Sequence, residues 1–294
     1  MDYKNNLVRR QLIKKAVIPV AGQGTRLLPI TKTQPKEMLP LFSSRQNGEL
    51  LLKPIIQLIF EQLFSSGIRD FCFIVGKNKR IIEDYFSPNY SFLTHLSSIK
   101  KTTAISDFKE FYKKIEKSTI TFISQTKPLG YGHAVSLAAS FVGKEQFLVH
   151  AGDTLIISPN NTHISLCMST NADGVIALQK VIDPKPYGVI LGQRIGKFYN
   201  ITRAIEKPKK YISNLAIMPV NSFHYEIFNI LKKIKPGKGN EIQLTDAIQK
   251  MIDLDFDIKG FQIHRSSLHL DIGTSENYWH AQKLSKKLSD KRLI

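Results

Sequence analysis

The residues able to do chemistry cluster first at 22–36. Gly22 and Gly24 stand directly after the apolar run Ala16-Val17-Ile18-Pro19-Val20. Glycines so placed let the backbone turn tightly and bring its N–H groups to an anion. Arg26 adds a planar guanidinium that forks onto phosphate oxygens, and Lys36, beside Pro35, adds a point charge. Together they read as a cradle for a polyphosphate. Downstream, Gln125 ends a strand-like run ahead of a loop holding Gly130 and Gly132. A carboxamide both donates and accepts, which suits the edge of uracil or thymine. Tyr187-Gly188 allows close approach of backbone to a hexose, and Glu206-Lys207 sets an acceptor for sugar hydroxyls beside a cation for a phosphate. Taken singly, each has an ordinary reading as a turn, a loop or a surface ion pair of little worth. His133 has no neighbour in sequence to complete a triad and reads as packing at a helix start.

Two familiar glycine loops are excluded by spelling. A dinucleotide fingerprint needs a third glycine where this chain has Leu27, and a P-loop needs a closing Gly-Lys-Ser/Thr. The whole string from Gly22 to Pro40, GQGTRLLPITKTQPKEMLP, instead resembles the signature GxGTRLxPxTxxxPKxMLP of the sugar-1-phosphate nucleotidylyltransferases, matched without a break. Gln125 and Gly130 keep that family's base-reading spacing, and Glu206-Lys207-Pro208 its Glu-Lys-Pro. The run Glu241-Ile242-Gln243-Leu244-Thr245-Asp246 is close to the wording of its glucose-1-phosphate uridylyltransferases. The motifs keep the family order over roughly residues 12 to 285.

The resemblance implies an α/β, Rossmann-like nucleotidyltransferase fold: a mixed, mostly parallel sheet flanked by helices in a single large domain. It implies uridylyl transfer from UTP to glucose 1-phosphate, giving UDP-glucose and pyrophosphate. Transfer from dTTP is the runner-up, since one methyl is worth only ~1–3 kcal/mol in a pocket. A remoter alternative is a non-catalytic basic protein that binds nucleotides or nucleic acid. The nucleotide would lie on Ala21, Gly22, Gly24, Thr25, Arg26, Lys36, Gln125 and Gly130. The sugar phosphate would lie on Gly188, Glu206 and Lys207. Mg²⁺ would sit on Asp153, just past the end of a strand, and on Asp271. Arg26, Lys36, Asp153 and Lys207 would carry the catalysis.

Strands are expected at 16–20, 70–75, 119–124, 145–150, 174–181, 186–190, 198–206, 213–217 and 256–264. Helices are expected from Pro54 and at 79–86, 107–117, 134–140 and 275–288. Residues 42–49 read as a polar turn, and 87–118 as an insertion serving as a lid or subunit contact. Pro219 argues for an edge strand or a local bend. Glu241 reads as an acidic helix start favoured by the macrodipole. Thr274 and Ser275 are better placed than Asp271 to cap the last helix. Residues 1–14 form a basic arm and 286–294 a basic tail. Between them, 15–285 divides into a nucleotide half, 15–155, and a sugar-phosphate half, 156–285.

With 42 Lys and Arg against 24 Asp and Glu, the net charge is +18. The lysines come as scattered pairs, with no helix-turn-helix, zinc finger or RNA-binding signature, so no nucleic-acid partner is expected. A basic field also draws in a nucleoside triphosphate and a sugar phosphate. Cys72 and Cys167 suggest neither a disulfide framework nor a zinc site, and no apolar run nears membrane-spanning length. We expect a cytoplasmic homo-oligomer, dimer or tetramer, with no membrane partner.

Overall fold

Alternate side chains of the strand Lys15–Val20 enter two different cores. Ala16, Ile18 and Val20 join one cluster, while Val17 joins the other. A strand buried on both faces reads as a continuous apolar run, and needs helices on both sides. The computed structural model that shows this describes residues 12–45, 47–77 and 79–294, so the arm expected over 1–14 lies largely outside the described residues.

In chain order the elements are β1 (Lys15–Val20), β2 (Pro40–Ser44), β3 (Leu50–Pro54), α1 (Ile55–Ser65), β4 (Asp70–Gly76), α2 (Arg80–Tyr85), α3 (Tyr90–Ser98), α4 (Thr102–Glu116), β5 (Thr119–Gln125), α5 (Tyr131–Ser136), α6 (Ala139–Val142) and β6 (Phe147–His150). There follow β7 (Thr154–Ile157), α7 (Thr162–Cys167), β8 (Gly174–Lys180), β9 (Gly188–Ile195), β10 (Phe198–Glu206), β11 (Leu215–Phe223), α8 (Ile227–Leu231), α9 (Leu244–Asp253), β12 (Ile258–Gln262), β13 (Leu268–Asp271) and α10 (Ser275–Ser289).

One mixed sheet runs β5-β4-β1-β6-β11-β8-β12-β10-β9. The first-half strands β5, β4, β1 and β6 are parallel throughout. In the second half only β8–β12 is parallel, so the expected parallel character belongs to the first half. Helices α1, α2, α4, α7 and α10 cover one face through residues such as Phe60, Ile82, Phe111 and Ile164; α5, α6, α8 and α9 cover the other through Val135, Val142, Phe228 and Ile248.

Residues 42–49 are not simply a turn: β2 and β3 pair as an antiparallel hairpin, with Phe42 opposite Leu52. Of the two settings expected for Pro219, an edge or a local bend, the structure excludes the edge. Pro219 lies in β11, between β6 and β8, where the ladder to β8 shifts register between Ile217 and Asn221. Asn221 plugs the gap, its Oδ1 accepting from Ala177 N–H at 3.2 Å and its Nδ2 donating to Met218 O at 3.0 Å. The insertion 87–118 is the α3–α4 pair, tied down by Phe111, Tyr112 and Ile115, and none of its residues lines the cavities described below. The expected divisions at 155/156 and 285/286 fall inside β7 and α10.

Candidate active site

Ala21, Gly22, Gly24 and Thr25 leave the carboxyl end of β1 as a loop, the edge at which open α/β sheets place ligands. Gly24 has φ 66°, in the left-handed region that glycine reaches without a Cβ clash. Its carbonyl accepts from Leu27 N–H at 2.9 Å and Thr31 Oγ1 at 2.8 Å, folding the loop back on itself. With Lys36, Gln125, Gly130 and Asp153 this loop lines a cavity of about 500 Å³. A second cavity, about 530 Å³, takes Gly188, Glu206, Lys207 and Asp271 into its wall. Both are of ligand-binding size. They share Tyr131 and Ala151, so the two chambers adjoin.

The sequence-predicted residues therefore gather into two groups, with one exception. Arg26 is exposed and belongs to neither wall. Its Nη2 lies 3.2 Å from where a Cβ on Gly273 would stand, beside the turn that carries Asp271.

The two carboxylates come from a ribbon outside the main sheet. β7 and β13 pair antiparallel with Asp271 opposite Thr154, and Ile272 N–H donates to Asp153 O at 3.2 Å. Lys36 Nζ hydrogen-bonds Asp153 Oδ2. Burial pushes the Asp153 carboxyl up, but the charge and hydrogen bond of Lys36 outweigh it and hold it below the usual range. Burial likewise lowers Lys36, but Asp153 and then Glu37 raise it above its ordinary value. Asp271 Oδ1 accepts from Gly273 N–H at 2.8 Å and Oδ2 from Asn277 Nδ2 at 2.6 Å. Thr274 caps α10, accepting from Asn277 N–H at 3.2 Å, so Asp271 is not needed as the cap. Two carboxylates, one just before β7 and one at the end of β13, fit a hard divalent cation that completes its shell with water and phosphate oxygens. Among the described residues, no three His, Cys, Asp or Glu gather into a metal-holding group.

On the sugar side, Lys207 N–H donates to Tyr187 O at 2.9 Å, joining the end of β10 to the loop before Gly188. Glu206 accepts from Thr245 Oγ1 at 2.7 Å, and Lys207 Nζ lies 3.4 Å from its other oxygen. Thr245 is thus a positioning group hidden in a motif read only as wording. Glu241 is a correction: α9 begins at Leu244, so Glu241 precedes it, outside the first turn, and lines the first cavity.

Sequence reasoning also missed a buried ion pair. Glu37 is 1% exposed and Lys79 8%, with Nζ 2.8 Å from Oε2. Burial pushes the Glu37 carboxyl up and the Lys79 ammonium down. The partners lie 42 residues apart, and no local pattern joins them.

Comparison with known proteins agrees with this geometry. The family described as Nucleotidyl transferase matches residues 15–287. A UTP–glucose-1-phosphate uridylyltransferase of Bacillus subtilis is 39% identical over 249 residues, 82% of this chain and 80% of that protein. One of Streptococcus pneumoniae is 40% identical over 254 residues, 81% of this chain and 80% of its own. Among solved structures, a UDP-glucose pyrophosphorylase complexed with UDP-glucose superposes with TM-score 0.80 at 33% identity, covering 94% of this chain and 99% of that one. A family match that runs from β1 into α10, with relatives about 40% identical over four fifths of the chain, makes the chain a member of the nucleotidyl transferase family.

Proposed function

We propose that the protein transfers the uridylyl group of UTP to glucose 1-phosphate, giving UDP-glucose and pyrophosphate, with Mg²⁺ as the divalent cation. The observation that carries the reading is the adjoining pair of chambers, one lined by the phosphate cradle and Asp153, the other by Glu206, Lys207 and Asp271. The reaction joins two phosphates of separate molecules, and needs a place for each with cations between them. The nucleotide is taken mainly by residues of the first half of the chain and the sugar phosphate mainly by residues of the second.

A phosphate oxygen of glucose 1-phosphate attacks the α-phosphorus of UTP in line, the P–O bond to the β-phosphate breaks, and pyrophosphate leaves. The attacking phosphate is already ionised at neutral pH, so no general base is required. Catalysis is positioning and charge neutralisation. The 22–25 loop and Arg26 hold the leaving pyrophosphate, Lys36 faces the charge growing at the α-phosphate, and Lys207 steers the incoming phosphate against Glu206 on the sugar. Asp153 and Asp271 are the residues that would hold Mg²⁺, which supplies neutralising charge to both phosphates.

Pyrophosphate release with glucose 1-phosphate, measured over UTP, dTTP, CTP, ATP and GTP with and without Mg²⁺, tests the reading. Metal-dependent release strongest with UTP is expected. A dTTP optimum would keep the chemistry and change the nucleotide. Silence with every sugar 1-phosphate would overturn the assignment. We further propose a cytoplasmic dimer or tetramer with no nucleic-acid partner, to be tested by light scattering with and without added RNA.

A further inference from the structure

Gln125 ends β5 and is 6% exposed. Its amide nitrogen lies 3.2 Å from Gly130 O and 2.8 Å from His133 Nδ1. A backbone carbonyl only accepts, so the atom facing Gly130 must be the donor, Nε2, and this fixes the orientation of the carboxamide. The second hydrogen on Nε2 is then directed at His133 Nδ1, which must be the bare nitrogen of the ring. Burial holds the His133 pKa below its ordinary value, so the ring is neutral at pH 7 and has a bare nitrogen to offer. His133 itself lines neither cavity and can act on a ligand only through Gln125.

With Nε2 occupied on both hydrogens, Oε1 accepts from no described residue and is the polar atom left to the nucleotide cavity. An acceptor in that place pairs with the N3–H of uracil or thymine. Cytosine carries a lone pair at the same ring position and meets Oε1 as a second acceptor. Gly130 O is shared with Ala134 N–H at 3.1 Å, so the shorter contact to His133 is the firmer of the two restraints.

We propose that His133 is a specificity-determining positioning residue: it accepts a hydrogen bond from Gln125 Nε2 and locks Oε1 toward the nucleotide, so the site takes pyrimidines bearing an N3–H and rejects cytosine. The inference rests on the pyrimidine-nucleotide reading above. It adds the group that decides which way the base-reading amide points.

The test compares UTP and CTP binding by calorimetry, and kcat/KM with glucose 1-phosphate, in the native protein, His133→Leu and His133→Asn. Asn can offer Oδ1 where Nδ1 stood; Leu can offer nothing. The UTP:CTP ratio should fall about ten-fold in His133→Leu, the scale of one hydrogen bond, and return to within about two-fold of native in His133→Asn. A ratio taken on one preparation does not depend on the fraction folded, so partial misfolding leaves the result readable. Equal losses toward both nucleotides in His133→Leu, or no recovery in His133→Asn, would overturn the proposal. The two readings fail separately. A native protein that prefers UTP in binding but makes no UDP-glucose refutes the reaction alone, whereas one that binds UTP and CTP alike refutes the role of His133 alone.

Discussion

Replacing Lys79 by Met removes the cation from a buried pair whose Glu37 is 1% exposed. Lys79 Nζ also donates to Val20 O, so the variant strands a carboxylate and a carbonyl together. Breaking one side of a buried pair costs about 3–5 kcal/mol, because the remaining charge has no compensation. At ~2–3 °C per kcal/mol for a chain of this size, the melting temperature should drop by roughly 6–15 °C at pH 8. The sign with pH follows from Glu37. Burial already raises its pKa, and without Lys79 the largest opposing charge and its hydrogen bond are gone, leaving Lys36 as the cation that still lowers it. A carboxyl whose folded pKa lies above its unfolded value favours the folded state only when protonated. The deficit should therefore be largest at pH 8 and shrink toward pH 5. Thermal unfolding of native protein, Lys79→Met and the double variant Glu37→Leu/Lys79→Met across pH 5–8 measures this. The double variant should fall within about 2 kcal/mol of native, since a buried pair exchanged for apolar groups is near neutral. A Lys79→Met deficit below about 1 kcal/mol at pH 8, or one that grows as pH falls, would refute the reasoning.

Asp153→Asn and Arg26→Ala should each lower turnover at least ~100-fold, the scale for one electrostatic contact, and near-native turnover in either would remove that residue from the mechanism. Gly132→Ala places a Cβ 2.8 Å from Ile242 O and 3.0 Å from Leu244 N, backbone that cannot step aside cheaply; a loss of about 1–3 kcal/mol in denaturant unfolding is expected, and no loss would mean that α5 moves freely against 242–244. Burial lowers the pKa of His150 to about 4, His163 to about 3 and His269 to about 4. Each keeps its stabilising effect above the unfolded value near 6.5 and loses it, on the order of 1 kcal/mol per pH unit, as pH falls toward 4. A melting temperature that stays flat from pH 7 to 5 would contradict this.

The first half was legible because β1, β4 and β6 are buried on both faces and announce themselves as apolar runs whatever their partners. The gathering of Gly22, Gly24, Thr25 and Lys36 on one cavity wall was legible because they lie close in sequence, whereas Arg26 of the same string stays outside it. The β2–β3 hairpin was not, since Leu50 and Leu52 are exposed and the strands pair only with each other, leaving no alternation to read. Pro219 left an edge and a local bend open, and only the fold decides between them: β11 is an inner strand whose ladder is broken by a register shift repaired by Asn221. The pairings of Lys79 with Glu37 and of Thr245 with Glu206 span the fold, and a local pattern carries no trace of them.

The ribbon of β7 and β13 also orders the protein's assembly on the ribosome. The glycine loop and Asp153 are synthesised early, but Asp271 and the segment from Glu241 to Leu244 against which α5 rests emerge near the end. A nascent chain thus holds the glycine loop and Asp153 long before it holds Asp271 or the Glu241 that closes the wall of the first cavity. Under the proposed mechanism the site is complete only when the last strand docks, in one late step.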